Sequence, residues 1–348
     1  VDLARGLAVI GMVAAHLLWL EDFDFADAGT WLAVVDGRSS IVFATLAGVS
    51  IGLVTGGPRP LAPDAMRIAR RRLAVRAGML WLLGIWLIAT GVPVYVILPA
   101  YAVLFLLALP LVALGTRALL LIAGAIALVM PFVQVVLDGL PFWRTTAGSL
   151  LSAALGWNYP FPVWLAFVLA GLAVARAGIL RTRVQLWMVA AGSALTILGY
   201  GLDGASGPDA VPARPTFWEA VWTAEPHSSG LLEVIGSGGF AIALIGLCVL
   251  ACRTVLTWVV LPLRAVGAMP LTAYTAQILA WALVALAVLG TTTNLRAFRD
   301  LEPFVPMTVW LVLACTAWAL LVGRGPLEWL VDRIAKLAVP RRVDRLNG

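Results

Sequence analysis

Residues 118–137 read ALLLIAGAIALVMPFVQVVL, twenty consecutive positions without a charged side chain. At 1.5 Å per residue such a run makes a helix about 30 Å long, the thickness of a bilayer's hydrocarbon core. Its apolar residues are continuous, not alternating, which favours a helix over a strand of a membrane barrel. Further apolar runs lie at 3–20, 38–56, 68–90, 93–114, 159–176, 184–202, 229–251, 265–289 and 304–323. Hydrophobic residues make up 62% of the 348 and charged residues 12%, against about 45–50% and about 25% in soluble domains. The composition predicts an all-α polytopic membrane protein of about ten transmembrane helices, with no soluble domain. Segment 256–263, LTWVVLPL, is too short to cross and reads as a surface or re-entrant piece, whereas 325–338, GPLEWLVDRIAKLA, reads as an amphipathic helix lying on the membrane face.

Charge orients the bundle. With ten spans and a cytoplasmic N-terminus, only Arg38, Arg144, Arg214, Arg296 and Arg299 fall outside, leaving 19 of the 24 basic residues within. This is the asymmetry of the positive-inside rule, and it predicts both termini in the cytoplasm. The localisation expected is a bacterial cell (inner or plasma) membrane, crossed many times. The first segment starts with Asp2 and Arg5 and lacks a small-residue cleavage site, so no cleavable signal is read there. Cys248, Cys252 and Cys315 lie in apolar runs without a pairing pattern or a nearby histidine, so neither a disulfide framework nor a metal site is expected. No Walker loop, dinucleotide fingerprint or nucleic-acid-binding pattern occurs.

The chain holds two histidines, His16 and His227, the side chains suited to proton transfer near neutral pH. His16 lies eleven residues beyond Arg5, about 16 Å along a helix and past the bilayer's middle. His227 ends the loop 203–228, so the orientation puts both on the outer side, where they can share one cavity. Two readings stay open: acid/base groups, or a helix-bonding His16 and an ordinary loop His227. Asp2, Arg5, Met12 and His16 lie within about 80° on one helical stripe, which must face the bundle. Asp2 and Arg5 fit either a substrate contact or a pair at the helix start.

In DGRSSIVFATLAGVSIGL (36–53), Asp36, Arg38, Ser39 and Ser40 form a polar entrance, and Arg38 suits a carboxylate or oxyanion. Ala44, Gly48 and Gly52 form a small-residue stripe for close helix approach. Residues 56–78, GGPRPLAPDAMRIARRRLAVRAG, carry Arg67, Arg70, Arg71, Arg72 and Arg76. These fit either anionic lipid and topology, or the phosphates of a nucleotide-containing donor. In EPHSSGLLEVIGSGGFAIALIG (225–246), Glu233 sits where it could orient the His227 imidazole or share its proton, and GSGG marks either a helix break or a tight helix contact. In RAVGAMPLTAYTAQIL, Thr272, Tyr274 and Gln277 read as helix-to-helix polar contacts.

The opening VDLARGLAVIGMVAAHL resembles the transmembrane acyltransferases, a group that includes heparan-α-glucosaminide N-acetyltransferase and bacterial O-acyltransferases and whose first helix carries D-x-x-R-G-x-A followed by a histidine. The match continues through GRSSIVFATLAGVSIGL and the arginine-rich start of the third run. YPFPVWLAFVLAGLAVAR (159–176), EPHSSGLLEVIGSGGFAIALIGLCVL, LRAVGAMPLTAYTAQIL and GPLEWL resemble the bacterial YeiB-type family, so the resemblance spans nearly the whole chain. It implies an acyltransferase-like front half at 1–202, with seven helices, and a YeiB-type rear half at 203–348, with three helices and the amphipathic one. The implied function is transfer of an acyl group, acetyl first, from cytoplasmic acyl-coenzyme A to a hydroxyl or amine at the outer leaflet, with no metal. His16 matches the histidine thought catalytic in the acyltransferases; His227 with Glu233 would form a second acid/base pair. Asp2, Arg5, Arg38, Ser39 and Ser40 would bind substrate, and Arg67, Arg70, Arg71, Arg72 and Arg76 would hold the donor. The human lysosomal enzyme uses a histidine in the loop after its first helix, and that loop here, EDFDFADAGTW (21–31), has none. Membrane lipid and a lipid-linked or glycan acceptor are the partners implied; the oligomeric state stays open. The alternatives are a transporter or flippase for a lipid-linked or small anionic molecule, and a non-catalytic assembly factor.

Overall fold

The computed structural model describes residues 1–21, 23–24, 26–206 and 215–340, and among these it contains helices and no strands. Arg214, Arg341, Arg342 and Arg345 of the charge count lie outside the described residues. The helices are α1 (Asp2–Leu17), α2 (Arg38–Val54), α3 (Pro63–Ile88), α4 (Leu98–Ala108), α5 (Thr116–Asp138), α6 (Thr146–Leu155), α7 (Phe161–Ala177) and α8 (Thr182–Ser206). They continue as α9 (Phe217–Val221), α10 (Leu231–Ala251), α11 (Leu256–Val259), α12 (Leu261–Ala268), α13 (Pro270–Leu289), α14 (Leu295–Arg299), α15 (Phe304–Leu321) and α16 (Pro326–Ala338).

Every apolar run contains a helix, but among the described residues six helical segments are long and apolar enough to cross a membrane: Ala28–Val54, Thr116–Asp138, Thr182–Ser206, Leu231–Ala251, Pro270–Leu289 and Phe304–Leu321. Several apolar helices thus make this a multi-pass membrane protein. Hydropathy averages over residues without seeing where backbone hydrogen bonds stop. The run 93–114 shows the difference, since its helix α4 has only 11 residues and ends just before Pro110, which lacks an N–H to continue it. The run 265–289 is likewise split at Met269–Pro270 into α12 and α13. Segment 256–263 becomes α11 and the start of α12, and 325–338 becomes the amphipathic α16. Large apolar side chains such as Leu121, Ile197 and Leu321 stand 75%, 72% and 84% exposed, a surface suited to lipid.

Small residues set the packing. A Cβ on Gly48 would strike the Val168 carbonyl, and one on Gly171 the Thr45 carbonyl, so α2 and α7 touch backbone to backbone. The GSGG stretch does not break its helix: α10 runs unbroken from Leu231 to Ala251. It lies along α8 instead, where a Cβ on Gly239 would fall 2.7 Å from the Gly192 carbonyl oxygen. Close approach of this kind replaces the hydrophobic drive that lipid cannot supply between helices.

Two polar contacts fasten the helix ends. Arg176, only 4% exposed, donates to the carbonyls of Gly52, Thr55, Gly57 and Val112 and to the Thr55 hydroxyl, so a cation fills the C-terminal end of α2. At the α12–α13 break, Glu328 of α16 accepts from the Leu271 N–H at 2.7 Å, the Thr272 N–H at 3.1 Å and the Thr272 hydroxyl at 2.5 Å. The carboxylate thereby caps the donors left free at the start of α13.

Candidate active site

Helix α1 ends at a cavity of about 540 Å³ whose walls include Met12, His16, Asp36, Ser39, Ser40, Tyr95, Tyr159, His227 and Arg299. The two histidines, far apart in sequence, therefore share one space. Arg299 anchors the end of α1, its Nε donating to the His16 carbonyl at 3.0 Å and its Nη2 to the Ala15 carbonyl at 3.2 Å. A guanidinium at a helix C-terminus meets both the free carbonyls and the negative end of the dipole. His16 Nδ1 lies 3.4 Å from the Gln277 amide nitrogen, and its ring is 6.5 Å from that of Trp281. A half-turn of the amide would present oxygen in place of nitrogen, so the orientation of Gln277 and the tautomer of His16 are coupled.

His227 is held from behind. Its backbone is left-handed, with φ 66°, as is that of Ser229 at 55°. Glu233, 3% exposed, accepts from the His227 N–H at 2.8 Å, the Ser229 N–H at 2.6 Å and the Ser228 hydroxyl at 3.2 Å. Those bonds hold a turn that bulky residues resist. The expected meeting of Glu233 with the imidazole is not what the geometry shows, because the turn points the main chain at this carboxylate. Asp36 Oδ1 takes the place beside the ring, 3.3 Å from Nε2. Burial depresses the charged form of His227, but the hydrogen bond to Asp36 and the Glu233 charge outweigh it, and its pKa is raised.

The other expected residues divide among different places. Ser39 and Ser40 line the cavity, but Arg38 turns away, donating to the Tyr200 hydroxyl at 2.7 Å and lying over that ring. Asp2 and Arg5 form an ion pair at 2.8 Å, and Arg5 also donates to Ser50 at 2.8 Å. Arg5 and Ser50 border a separate apolar chamber of about 140 Å³ with Phe43, Leu80, Tyr101 and Tyr274. A further recess of about 340 Å³ shares Val94, Tyr95 and Tyr159 with the main cavity and adds Trp143, Ser149, Ser152 and Asn158.

The α3 arginines lie at the opposite end of α2, about 24 Å away at 1.5 Å per residue. Arg67 pairs with Asp64, Arg70 donates to the Pro110 carbonyl at 3.3 Å, and Arg72 donates through Nε to the Val339 carbonyl at 3.0 Å. Arg76 meets Asp332 at 2.6 Å. Asp332 also receives Arg324 at 2.9 Å and Lys336 at 2.7 Å. Burial pushes its carboxyl up, but Lys336, Arg324 and Arg76 hold it down at about 2. Arg67 and Arg71, one helical turn apart, border a recess of about 670 Å³ with Ala338, Val339 and Pro340.

Three neighbours of the histidines are not marked as such by the sequence. Asp36 appeared only as part of an entrance, Arg299 only as one of the outer cations, and Gln277 only as a helix contact. The excess of polar groups near span ends was the available signal, but it names no partner. Among the described residues no three His, Cys, Asp or Glu side chains gather into a metal-binding group.

A cavity shared by two imidazoles, in a bundle of several apolar helices, puts the chain in the class of multi-pass membrane proteins. The model of the heparan-alpha-glucosaminide N-acetyltransferase catalytic family matches residues 1–200, and that of a protein family of unknown function (DUF418) matches residues 173–337. The chain belongs to the acyltransferase-like YeiB-type membrane family that joins these two regions. No curated protein matches it.

Proposed function

We propose that this protein is an integral-membrane acyltransferase that takes an acyl group, acetyl first, from acyl-coenzyme A and passes it to a hydroxyl or amine acceptor. The observation that carries this reading is the single cavity lined by His16, His227, Asp36, Ser39 and Ser40. His16 removes the acceptor proton as the thioester carbonyl is attacked, and the thiolate leaves carrying the electrons of the broken C–S bond. For this role Nε2 must be unprotonated, which follows when the Gln277 oxygen accepts from Nδ1–H. His227, held by Asp36, returns a proton to the leaving thiolate or binds the acceptor.

The donor enters at the arginine-bearing face, with Arg67 and Arg71 as the phosphate contacts: both are exposed, and Arg71 has no bonding partner among the described residues. The chamber beside Arg5 and Tyr101 meets α2 at Phe43, Leu46, Ala47 and Ser50, further along that helix than the Ser39 and Ser40 of the histidine cavity, and it suits the donor's uncharged arm. The recess with Trp143, Asn158, Ser149 and Ser152 suits a hydroxyl-rich acceptor such as a glycan, free or lipid-linked. We place the arginine face in the cytoplasm of a bacterial inner membrane and the histidine cavity on the outer side, on the basic-residue asymmetry. The ten-span arrangement with both termini inside belongs to the same reading.

A transporter would use a broken helix to bind its cargo. The break at Met269–Pro270 has that form, but its free N–H groups are already taken by Glu328. Incubation of the purified protein with labelled acetyl-coenzyme A and a panel of hydroxyl- and amine-bearing acceptors tests the enzyme reading: free coenzyme A and label on an acceptor are expected, and donor binding without transfer, together with uptake of an anionic solute into vesicles, would overturn it.

A further inference from the structure

Helix α16 does more than cover the bundle. Its Asp332 is almost buried, with a side chain 10% exposed, and it faces three cations, Arg76, Arg324 and Lys336. One carboxylate cannot neutralise three cations, and Arg72 adds a fourth nearby, of which only Nε is engaged among the described residues, by the Val339 carbonyl. Arg72, Arg76 and Lys336 rim a groove of about 380 Å³ between α3 and α16. Asp332 lies in the same polar rim, outnumbered by the cations around it, and the remaining walls are apolar, with Val54, Leu61, Ile68 and Leu73 among them.

The α3 arginines fall on two faces. Arg67 and Arg71 are four residues apart on one stripe, and Arg72 and Arg76 are four apart on another. The first pair borders the recess already assigned to the donor; the second borders this groove. A strong positive excess at one end of an apolar trough matches a molecule with a phosphate at one end and hydrocarbon at the other. Basic pockets between membrane helices hold anionic lipid headgroups on this physical ground. A free phosphate would leave the apolar walls wet.

We propose that the groove between α3 and α16 is a binding site for one anionic glycerophospholipid, its phosphate held by Arg72, Arg76 and Lys336 and one acyl chain laid along Val54, Leu61, Ile68 and Leu73. The lipid ties α16, and through Glu328 the start of α13, to the bundle. This inference does not depend on acyl transfer, and its test reads lipid binding, not turnover.

The test uses the full chain in mixed micelles, titrated with fluorescent phosphatidylglycerol and, separately, phosphatidylcholine. Saturable binding of one phosphatidylglycerol per chain, much tighter than phosphatidylcholine, is expected. The double variant Arg72→Gln, Lys336→Gln should weaken it about 25-fold, from roughly fivefold for each cation. Arg72→Lys, which keeps the charge, should recover most of the loss and guards against a folding defect. Arg67→Gln with Arg71→Gln should leave lipid binding unchanged. Equal binding of both lipids, equal loss in the two double variants, or displacement of the lipid by coenzyme A or inorganic phosphate at matched concentration would overturn the assignment.

Discussion

The Nε2 atom of His227 stands 3.3 Å from Oδ1 of Asp36, joining the turn before α10 to the entrance of α2 across the mouth of the cavity. Neither residue is deeply sealed, with side chains 47% and 40% exposed, so the contact answers to the pH of the surrounding water.

The His227 pKa is raised in the folded chain. A raised folded value means the pair's stabilisation is fully present below the ordinary histidine value of about 6.5 and is lost as pH rises through the folded value. Thermal unfolding in detergent should show a decline in Tm above about pH 6.5 that Asp36→Asn removes. An unchanged pH slope in Asp36→Asn would show that the pair does not form.

His16→Ala and His16→Gln should each lower acyl transfer by about 10²–10⁴-fold, the usual contribution of a positioned acid/base group. Coenzyme A binding and Tm should stay close to those of the unaltered protein. Turnover in His16→Gln comparable to the unaltered protein would remove His16 from the reaction and leave it a ligand contact.

The donor should weaken when Arg67 and Arg71 are both replaced by glutamine. A loss of at least tenfold in coenzyme A affinity, about 1.4 kcal/mol, is expected by equilibrium binding. Unchanged affinity in a folded protein would return this stripe to a role in membrane orientation.

Arg176→Leu should cost about 3 kcal/mol or more, since it strips a charged donor from several buried carbonyls at once. Denaturation in a fixed detergent measures this. Arg176→Lys should rescue little, because a single ammonium cannot reach the dispersed acceptors as a planar guanidinium does.

Orientation is checked by single cysteines at Ala62 and Ala205, introduced after Cys248, Cys252 and Cys315 are replaced. Both positions are exposed. An impermeant thiol reagent applied to intact cells should label position 205 and spare position 62; labelling at 62 would reverse the proposed topology.

The helical membrane character of this chain was legible without any structure, because a run such as 118–137 has no other way to satisfy its backbone in hydrocarbon. So were the family motifs, the helix at 325–338 and the two histidines as candidates, since an imidazole near an apolar run is conspicuous by its cost. Helix ends were less legible. Pro110 and Pro270 interrupt apolar runs whose average hydropathy stays high, so α4 came out short and α12–α13 came out broken. The meaning of GSGG was open for a related reason: low helix propensity permits a break and close packing alike, and only the presence of Gly192 and Gly199 across from it makes packing the outcome. Which side chains meet was decided by tertiary structure alone. Asp36 displaced Glu233 from the His227 ring because a left-handed turn at 227–229 points main-chain donors, not the imidazole, at Glu233. Arg38 swung to Tyr200, while Arg299 and Gln277 arrived from helices far along the chain. Periodicity assigns a residue to a face of its own helix, but the partner across the gap depends on how helices cross, and that is set by packing summed over the whole bundle.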